Sequence, residues 1–74
     1  MQLSDFKENE FYIFSDGSYK ILLQCIKIDK ELYDKVIKNI NSNETIGSLY
    51  PLAKIPGLLQ YYRPLTNLEK IKYL

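Results

Sequence analysis

The segment YKILLQCIKID, from Tyr19 to Asp29, carries the clearest secondary-structure signal in the chain. Apolar residues occupy every second position at its start, which is the pattern of a β-strand with one buried face: Tyr19, Ile21, Leu23 and Cys25. After Cys25 the apolar positions become Ile26 and Ile28, so the phase of the alternation changes. Because a strand changes phase only through a bulge or a bend, we predict one near Cys25–Ile26, as at the corner of a small barrel.

A β-hairpin is predicted immediately before this strand. The β-prone run FYIF, residues 11–14, is followed by the polar segment SDGS and then by the long strand. Gly17 accepts a positive φ without steric cost, so the Asp16–Gly17 pair between two apolar runs is a strong turn signal.

The segment DKELYDKVIKNINSN, residues 29–43, fits two structures. As a helix it would place apolar residues on one face: Leu32, Tyr33, Val36, Ile37 and Ile40. As a strand, Val36–Ile40 would pair with Thr45–Tyr50 across the polar turn NSNE. We favour the strand, because Ile26–Ile28 and the later segment TIGSLY need partners and an isolated two-stranded hairpin is only marginally stable in water. A helix at about 30–41, giving an α+β domain of the ββα type, stays the alternative.

The end of the chain predicts a short strand followed by a helix. Pro51, Pro56 and Gly57 exclude a helix interior or a central strand, and LLQYY, residues 58–62, is then a short closing strand. Thr66 and Glu69 form a capping box, which predicts a terminal helix from Thr66 to Leu74. Four apolar residues are expected to seal the core there: Leu65, Leu68, Ile71 and Leu74.

Size and composition favour one small domain, residues 1–74, without catalytic chemistry. A chain of 74 residues buries only about 60% of its unfolded surface, so its core is thin. Cys25 is the only cysteine and there is no histidine, which predicts a buried structural thiol and excludes an intramolecular disulfide or a Cys/His metal site. We therefore expect no enzyme activity, no cofactor and no metal. The sequence has neither a signal peptide nor an apolar run of membrane-spanning length, which favours the cytoplasm.

The charge balance argues against nucleic acid as the main partner. Ten basic and nine acidic residues give a net charge of +1, and the two signs are well mixed. An alternative nucleic-acid-binding face would combine the aromatic residues with Lys20, Lys27 and Arg63, since single-stranded nucleic acid stacks on aromatic rings beside basic grooves. We expect little binding to DNA or RNA at physiological salt concentration.

A protein partner is the better candidate. Tyrosine and arginine are the residue types most enriched among binding hot spots, and they cluster in the proline-bounded segment: Tyr50, Tyr61, Tyr62 and Arg63. Adjacent strand residues point to opposite faces, so one of Tyr61 and Tyr62 should be exposed. The alternative is an aromatic plug that closes the core. A homo-oligomer is a further open alternative.

Both ends of the chain carry a family resemblance. The segment LSDFKENEFYIFSDGSYKILLQCIKID resembles the start of SH3-like and Tudor-like small barrels, which open with a turn rich in Lys, Gly and Asp, a strand, a hairpin and a long bent strand. Asn9 stands where such domains often have glycine. The segment YYRPLTNLEKIKYL resembles the tails of short phage and prophage proteins. The middle of the chain is unmatched.

This resemblance implies a fold and a class of function. The expected fold is mainly β, a small SH3-like barrel with a short C-terminal helix. The expected function is that of a non-catalytic phage or mobile-element protein that binds and inhibits a host protein in the host cytoplasm, with a defence nuclease as one candidate target (anti-CRISPR-like or anti-restriction-like). The alternatives are a small nucleic-acid-binding accessory domain and a phage structural or assembly subunit. Fold alone does not decide among them.

Overall fold

A computed structural model describes all residues from 1 to 74 and shows a mainly β fold with one short C-terminal helix, as predicted. The strands are β1 (Phe11–Ser15), β2 (Lys20–Ile28), β3 (Glu31–Asn39), β4 (Glu44–Thr45), β5 (Leu49–Pro51) and β6 (Tyr62–Pro64). The single α-helix, α1, spans Asn67–Tyr73. Short 3₁₀ helices lie at Leu3–Asp5, Leu52–Lys54 and Pro56–Tyr61.

All six strands belong to one antiparallel sheet. The strand order is β4-β3-β2-β1-β6, and β5 pairs with the same edge of β3 as β4 does. The sheet is open, since no strand pairing joins β6 to β4 or β5. Strand β3 covers the segment of ambiguous periodicity, so the alternative helix at 30–41 is wrong and the predicted pairing of this segment with residues after the NSNE turn is confirmed.

The irregularity in the long strand lies elsewhere than expected. The register between β2 and β3 shifts at Leu22 and Leu23, which face Lys38 and Val36, so Ile37 is an extra residue in β3. The prediction of a break near Cys25–Ile26 is therefore wrong. The physical reason is that both faces of the sheet bury apolar residues. Regular alternation along β2 therefore sends Leu23 and Cys25 to one hydrophobic cluster and Leu22 to the other, and no change of phase is needed.

The tight turns between the first three strands use left-handed backbone. The predicted β1–β2 hairpin is confirmed, with Gly17 at a φ of 93° and the Asp16 carboxylate accepting hydrogen bonds from the backbone of Ser18 and Tyr19 at 2.9 Å. The β2–β3 turn consists of Asp29 and Lys30, which have φ values of 50° and 67°. Two consecutive positive φ values are the geometry that matches the right-handed twist of a hairpin.

One face of the sheet, called the front face here, holds the main hydrophobic cluster. Its seven buried members are Phe6, Tyr12, Leu23, Cys25, Leu52, Leu59 and Tyr62. Leu52 and Leu59 come from the 3₁₀ helices that lie between β5 and β6 and cover this face. The expected strand over LLQYY is wrong, because Pro56–Tyr61 is 3₁₀-helical and the closing strand begins only at Tyr62, where it pairs with β1.

The opposite face, called the back face, holds a smaller cluster of Ile13, Leu22 and Leu65, against which Tyr73 of α1 packs. Helix α1 begins at the predicted capping box, in which Thr66 accepts from the Glu69 backbone at 3.2 Å. Leu65 is buried as expected. The other three residues expected in the core are exposed: Leu68 by 78% of its surface, Ile71 by 82% and Leu74 by 60%.

Candidate functional site

A pocket of about 250 Å³ opens on the front face between the sheet and the 3₁₀ segment. We name it the Asp34 pocket after its only charged residue. Three aromatic side chains line it, namely Phe14, Tyr50 and Tyr62. Four aliphatic side chains complete the wall, namely Ile21, Val36, Ile55 and Leu58. A concave, mostly apolar pocket with one placed polar group is the usual form of a binding site.

Asp34 lies in this pocket because of the strand register. It pairs with Cys25 on β2 and with Tyr50 on β5, so its side chain shares the front face with both. Its carboxylate is buried, with the residue only 3% exposed, and Oδ2 accepts a hydrogen bond from the Tyr62 hydroxyl at 2.6 Å. Oδ1 is buried without any hydrogen-bond partner.

The electrostatics of this pair follow from burial. Removal from water raises the pKa of Asp34 to about 6, although the hydrogen bond from Tyr62 acts in the opposite direction. The pKa of the Tyr62 hydroxyl is raised by burial and by its bond to Asp34, so the phenol keeps its proton and stays the donor. At neutral pH the pocket therefore contains a mostly ionised carboxylate with a free acceptor oxygen.

The mouth of the pocket is built from half-exposed hydrophobic side chains. Tyr50 is 50% exposed and Leu58 is 42% exposed, although both line the pocket. Tyr61 is also exposed, and its ring contacts Phe14 edge-on with a centroid distance of 5.9 Å. We call Tyr50, Leu58 and Tyr61 the aromatic rim.

The four predicted partner-binding residues are divided between two faces. Tyr50 and Tyr61 belong to the aromatic rim, and the expectation that one of the two adjacent tyrosines is exposed is met by Tyr61. Tyr62 is buried in the front cluster. Arg63 pairs with Ile13 on the back face and donates two hydrogen bonds to the Glu69 carboxylate, at 2.6 and 2.8 Å. Arg63 therefore holds α1 in place rather than joining the tyrosines.

The residues of the alternative nucleic-acid site are not brought together as a basic face. Lys20 and Lys27 stand near opposite ends of β2, about 23 Å apart at the rise of a strand. Lys20 lies 4.0 Å from Glu69, the same carboxylate that binds Arg63. Two of the three cations thus share one internal counter-ion, which reduces the positive potential available to a phosphate backbone.

Outside the pocket, the single cysteine and the acidic residues bear on the question of reactive chemistry. Cys25 is fully buried, as predicted, and burial raises the pKa of its thiol. A thiol with a raised pKa in an apolar core is a poor nucleophile. No cluster of three or more His, Cys, Asp or Glu residues could hold a metal ion. None of the helices has the length and hydrophobicity that crossing a membrane requires.

Sequence reasoning missed Asp34, the residue at the centre of the pocket. It stands between Tyr33 and Lys35 in the segment whose periodicity fits either a helix or a strand. One signal was available, since with β3 as a strand the spacing of two places Asp34 on the same face as Leu32 and Val36. An acidic residue flanked in this way by apolar positions is a candidate for burial.

Comparison of the chain with known protein families, characterised proteins and solved structures finds no significant match.

Proposed function

We propose that this protein is a non-catalytic binding domain and that the Asp34 pocket, with its aromatic rim, is the centre of the surface that takes up a partner protein. The observation that supports this most directly is the open apolar pocket whose rim side chains, Tyr50 and Leu58, stay half exposed. Other hydrophobic side chains of the chain are more exposed, but the rim differs from them because it borders a concave apolar pocket, which is the usual form of a binding site.

The composition of the rim fits protein recognition. Tyrosine offers a large rigid contact area at a small cost in conformational entropy, and hot spots cluster in pockets that become fully desolvated on binding. A standard interface covers about 800 Å² on each partner. The whole surface of this chain measures 4968 Å², so an interface of that size would take about one sixth of it, with the pocket near its middle.

The proposed partner is a host protein that a phage or mobile-element protein would occupy and block in the host cytoplasm, with a defence nuclease as one candidate. The resemblance of the two ends of the chain supports this partner class. The separation of Lys20 from Lys27 and the pairing of Lys20 and Arg63 with Glu69 make nucleic acid the weaker choice.

The test is affinity capture with matched variants. Tagged wild-type protein, Tyr50→Ala and Leu58→Ala would be incubated with lysate of a candidate host bacterium, and bound proteins identified by mass spectrometry. Ile71→Ala is the control, because Ile71 is an exposed aliphatic residue on the back-face helix, remote from the pocket. The affinity of each variant would then be measured with the purified captured protein.

We expect both rim variants to weaken binding tenfold or more, while Ile71→Ala binds like the wild type and all variants stay folded. Loss of binding with Ile71→Ala alone would move the interface to the exposed side of α1. Capture that is equal for all four proteins would contradict the proposed site.

A further inference from the structure

The unpartnered oxygen of Asp34 is the feature that the fold itself does not explain. Buried polar atoms in folded proteins nearly always have a hydrogen-bond partner. Asp34 Oδ1 is the only buried side-chain nitrogen or oxygen atom of this chain without such a partner. The same residue lines an open pocket, so a group bound there lies next to the Asp34 carboxylate, whose Oδ1 is buried and has no partner.

No cation of this chain neutralises Asp34. The only salt bridges join Lys20 and Arg63 to Glu69 on the back face. A buried carboxylate without a counter-ion is costly unless something else supplies the charge or the proton. The raised pKa of Asp34 has the same cause, namely burial without compensation.

We propose that the Asp34 pocket binds the side-chain ammonium of a lysine presented by the partner protein, an inference that rests on the proposed function. The ammonium donates to Asp34 Oδ1, and the four-carbon stem packs against the aliphatic wall of the pocket. The rings of Phe14 and Tyr50 line the same pocket and add attraction between the cation and their π faces.

Lysine fits this site better than arginine. A guanidinium binds a carboxylate best in a fork that uses both oxygens. Here Oδ2 is already occupied by the Tyr62 hydroxyl at 2.6 Å, which leaves a single free acceptor. An arginine would bury five N–H donors against that one acceptor, whereas an ammonium approaches as a point charge with three.

The test uses n-butylammonium as a probe of the lysine side chain and n-butanol as an uncharged probe with the same stem. Each would be titrated into the wild-type protein at pH 7.5 and followed through the backbone amide signals in NMR spectra. We expect saturable shifts at pocket residues with butylammonium, with a dissociation constant on the order of millimolar, as is usual for so small a ligand. Butanol should bind at least tenfold more weakly.

Two variants assign the effect to the carboxylate. Asp34→Asn keeps the shape of the side chain and removes its charge, and it should bring butylammonium down to the affinity of butanol. Glu8→Gln removes an exposed carboxylate on the polar segment before β1 and should change neither affinity. The comparison of the two probes on wild-type protein needs no variant, so it holds even if Asp34→Asn folds poorly.

The outcomes separate this inference from the proposed function. Equal binding of both probes in the wild type, or unchanged butylammonium binding in Asp34→Asn, would overturn the ammonium site while the apolar pocket and rim remain. Absence of binding by either probe would overturn it as well. The proposed function fails on different evidence, namely when the rim variants capture the same partner as the wild type.

Discussion

The front and back faces of the sheet bury their side chains by different physical means, and each has one carboxylate that shows the difference. The front face has a hydrophobic cluster of seven buried residues and an uncompensated acid, Asp34, whose pKa burial raises to about 6. The back face has three buried residues and a compensated acid, Glu69, whose pKa the Arg63 guanidinium lowers to about 2. The front is thus stabilised by apolar packing in spite of a charge, whereas the back relies on an ion pair to hold its helix.

The difference also separates the candidate binding surface from the structural one. On the front face a pocket and its rim stay open next to a well-packed cluster. On the back face α1 turns Glu69 and Tyr73 towards the sheet and leaves its aliphatic residues in solvent. Exposed hydrophobic surface alone is therefore a poor guide here, and a concave shape with an unsatisfied polar group is the better one.

The largest expected effect comes from two adjacent leucines that belong to opposite faces. Leu23 and Leu22 are both fully buried, one in the front cluster and one in the back cluster. We expect Leu23→Ala to lower the free energy of unfolding by about 3–5 kcal/mol, and Leu22→Ala by about 2–3 kcal/mol, because the smaller back cluster collapses more easily around the cavity. Urea denaturation measures both, and an equal or larger loss for Leu22→Ala would show that the back face is an equivalent core.

The next prediction concerns the pH dependence of the front-face acid. A pKa raised from 3.8 to about 6 means that the folded state binds the Asp34 proton more tightly than the unfolded state does. Protonation of Asp34 therefore contributes about 3 kcal/mol to the free energy of unfolding. This contribution is fully present below pH 4 and is lost as the pH rises through about 6. We expect Asp34→Asn to match the wild type at pH 4 and to be more stable at pH 8.

Tyr62→Phe is the control for this pH dependence. It keeps the buried ring and removes the donor to Oδ2, so it should raise the pKa of Asp34 further and move the change in stability to higher pH. Thermal or urea unfolding of the three proteins across pH 4–8 gives the comparison. A constant difference between Asp34→Asn and wild type at all pH values would mean that Asp34 is not buried as an acid.

The sequence predicted the secondary-structure elements of this fold better than it predicted which side of each element is buried. The Asp16–Gly17 turn and the Thr66–Glu69 capping box are local signals, because each depends on residues close in sequence. The strand predicted over Val36–Ile40 instead followed from the need of neighbouring segments for a pairing partner, and the structure extends it to Glu31–Asn39. The orientation of α1 depends on Arg63 and Lys20, which come from two other elements, so the apolar spacing of Leu68 and Ile71 gave the wrong buried side.

The candidate site was predictable only in part for the same reason. Tyr50 and Tyr61 were found by residue type: Tyr50 lines the pocket, and Tyr61 contacts the pocket residue Phe14. The position of Asp34 depends on the pairing of β3 with β2 and β5, and its spacing from Leu32 and Val36 indicates burial only once the segment is known to be a strand. Arg63 was assigned to recognition because it follows two tyrosines, but alternation along β6 places it on the opposite face of the sheet from Tyr62.

A smaller effect is expected from the ion pair that holds the back-face helix. Glu69→Gln keeps the capping box, since glutamine can serve at that position, and removes the charge opposite Arg63. We expect a loss of about 1 kcal/mol in the free energy of unfolding near pH 7, as for a well-formed bidentate pair at a partly exposed site. The folded-state pKa of Glu69 is lowered, so the advantage of the wild type should be present above pH 4.5 and disappear as the pH falls towards 2.

Arg63→Ala tests the same contact from the other side. It should cost about as much as Glu69→Gln, and the double variant should cost no more than the larger single loss, because one interaction is removed in all three. Leu68→Ala, on the exposed side of α1, should change stability by less than about 0.5 kcal/mol. Additive losses from Arg63 and Glu69 would show that the pair seen in the structure does not stabilise the protein in solution.

The smallest expected effect lies in the turn that joins the two longest strands and is shared by both faces. Lys30 has a φ of 67°, a conformation that costs a residue with a side chain about 1 kcal/mol and that glycine adopts freely. Lys30→Gly should therefore raise the free energy of unfolding by about 0.5 kcal/mol, the strain relief being partly offset by the greater flexibility of glycine in the unfolded chain. Lys35→Gly is the matched control, because Lys35 is an exposed strand residue with ordinary φ, and the same change there should be destabilising. A loss of stability from both variants would show that the β2–β3 turn has a different conformation in solution, and the register that places Asp34 in the pocket would then need revision.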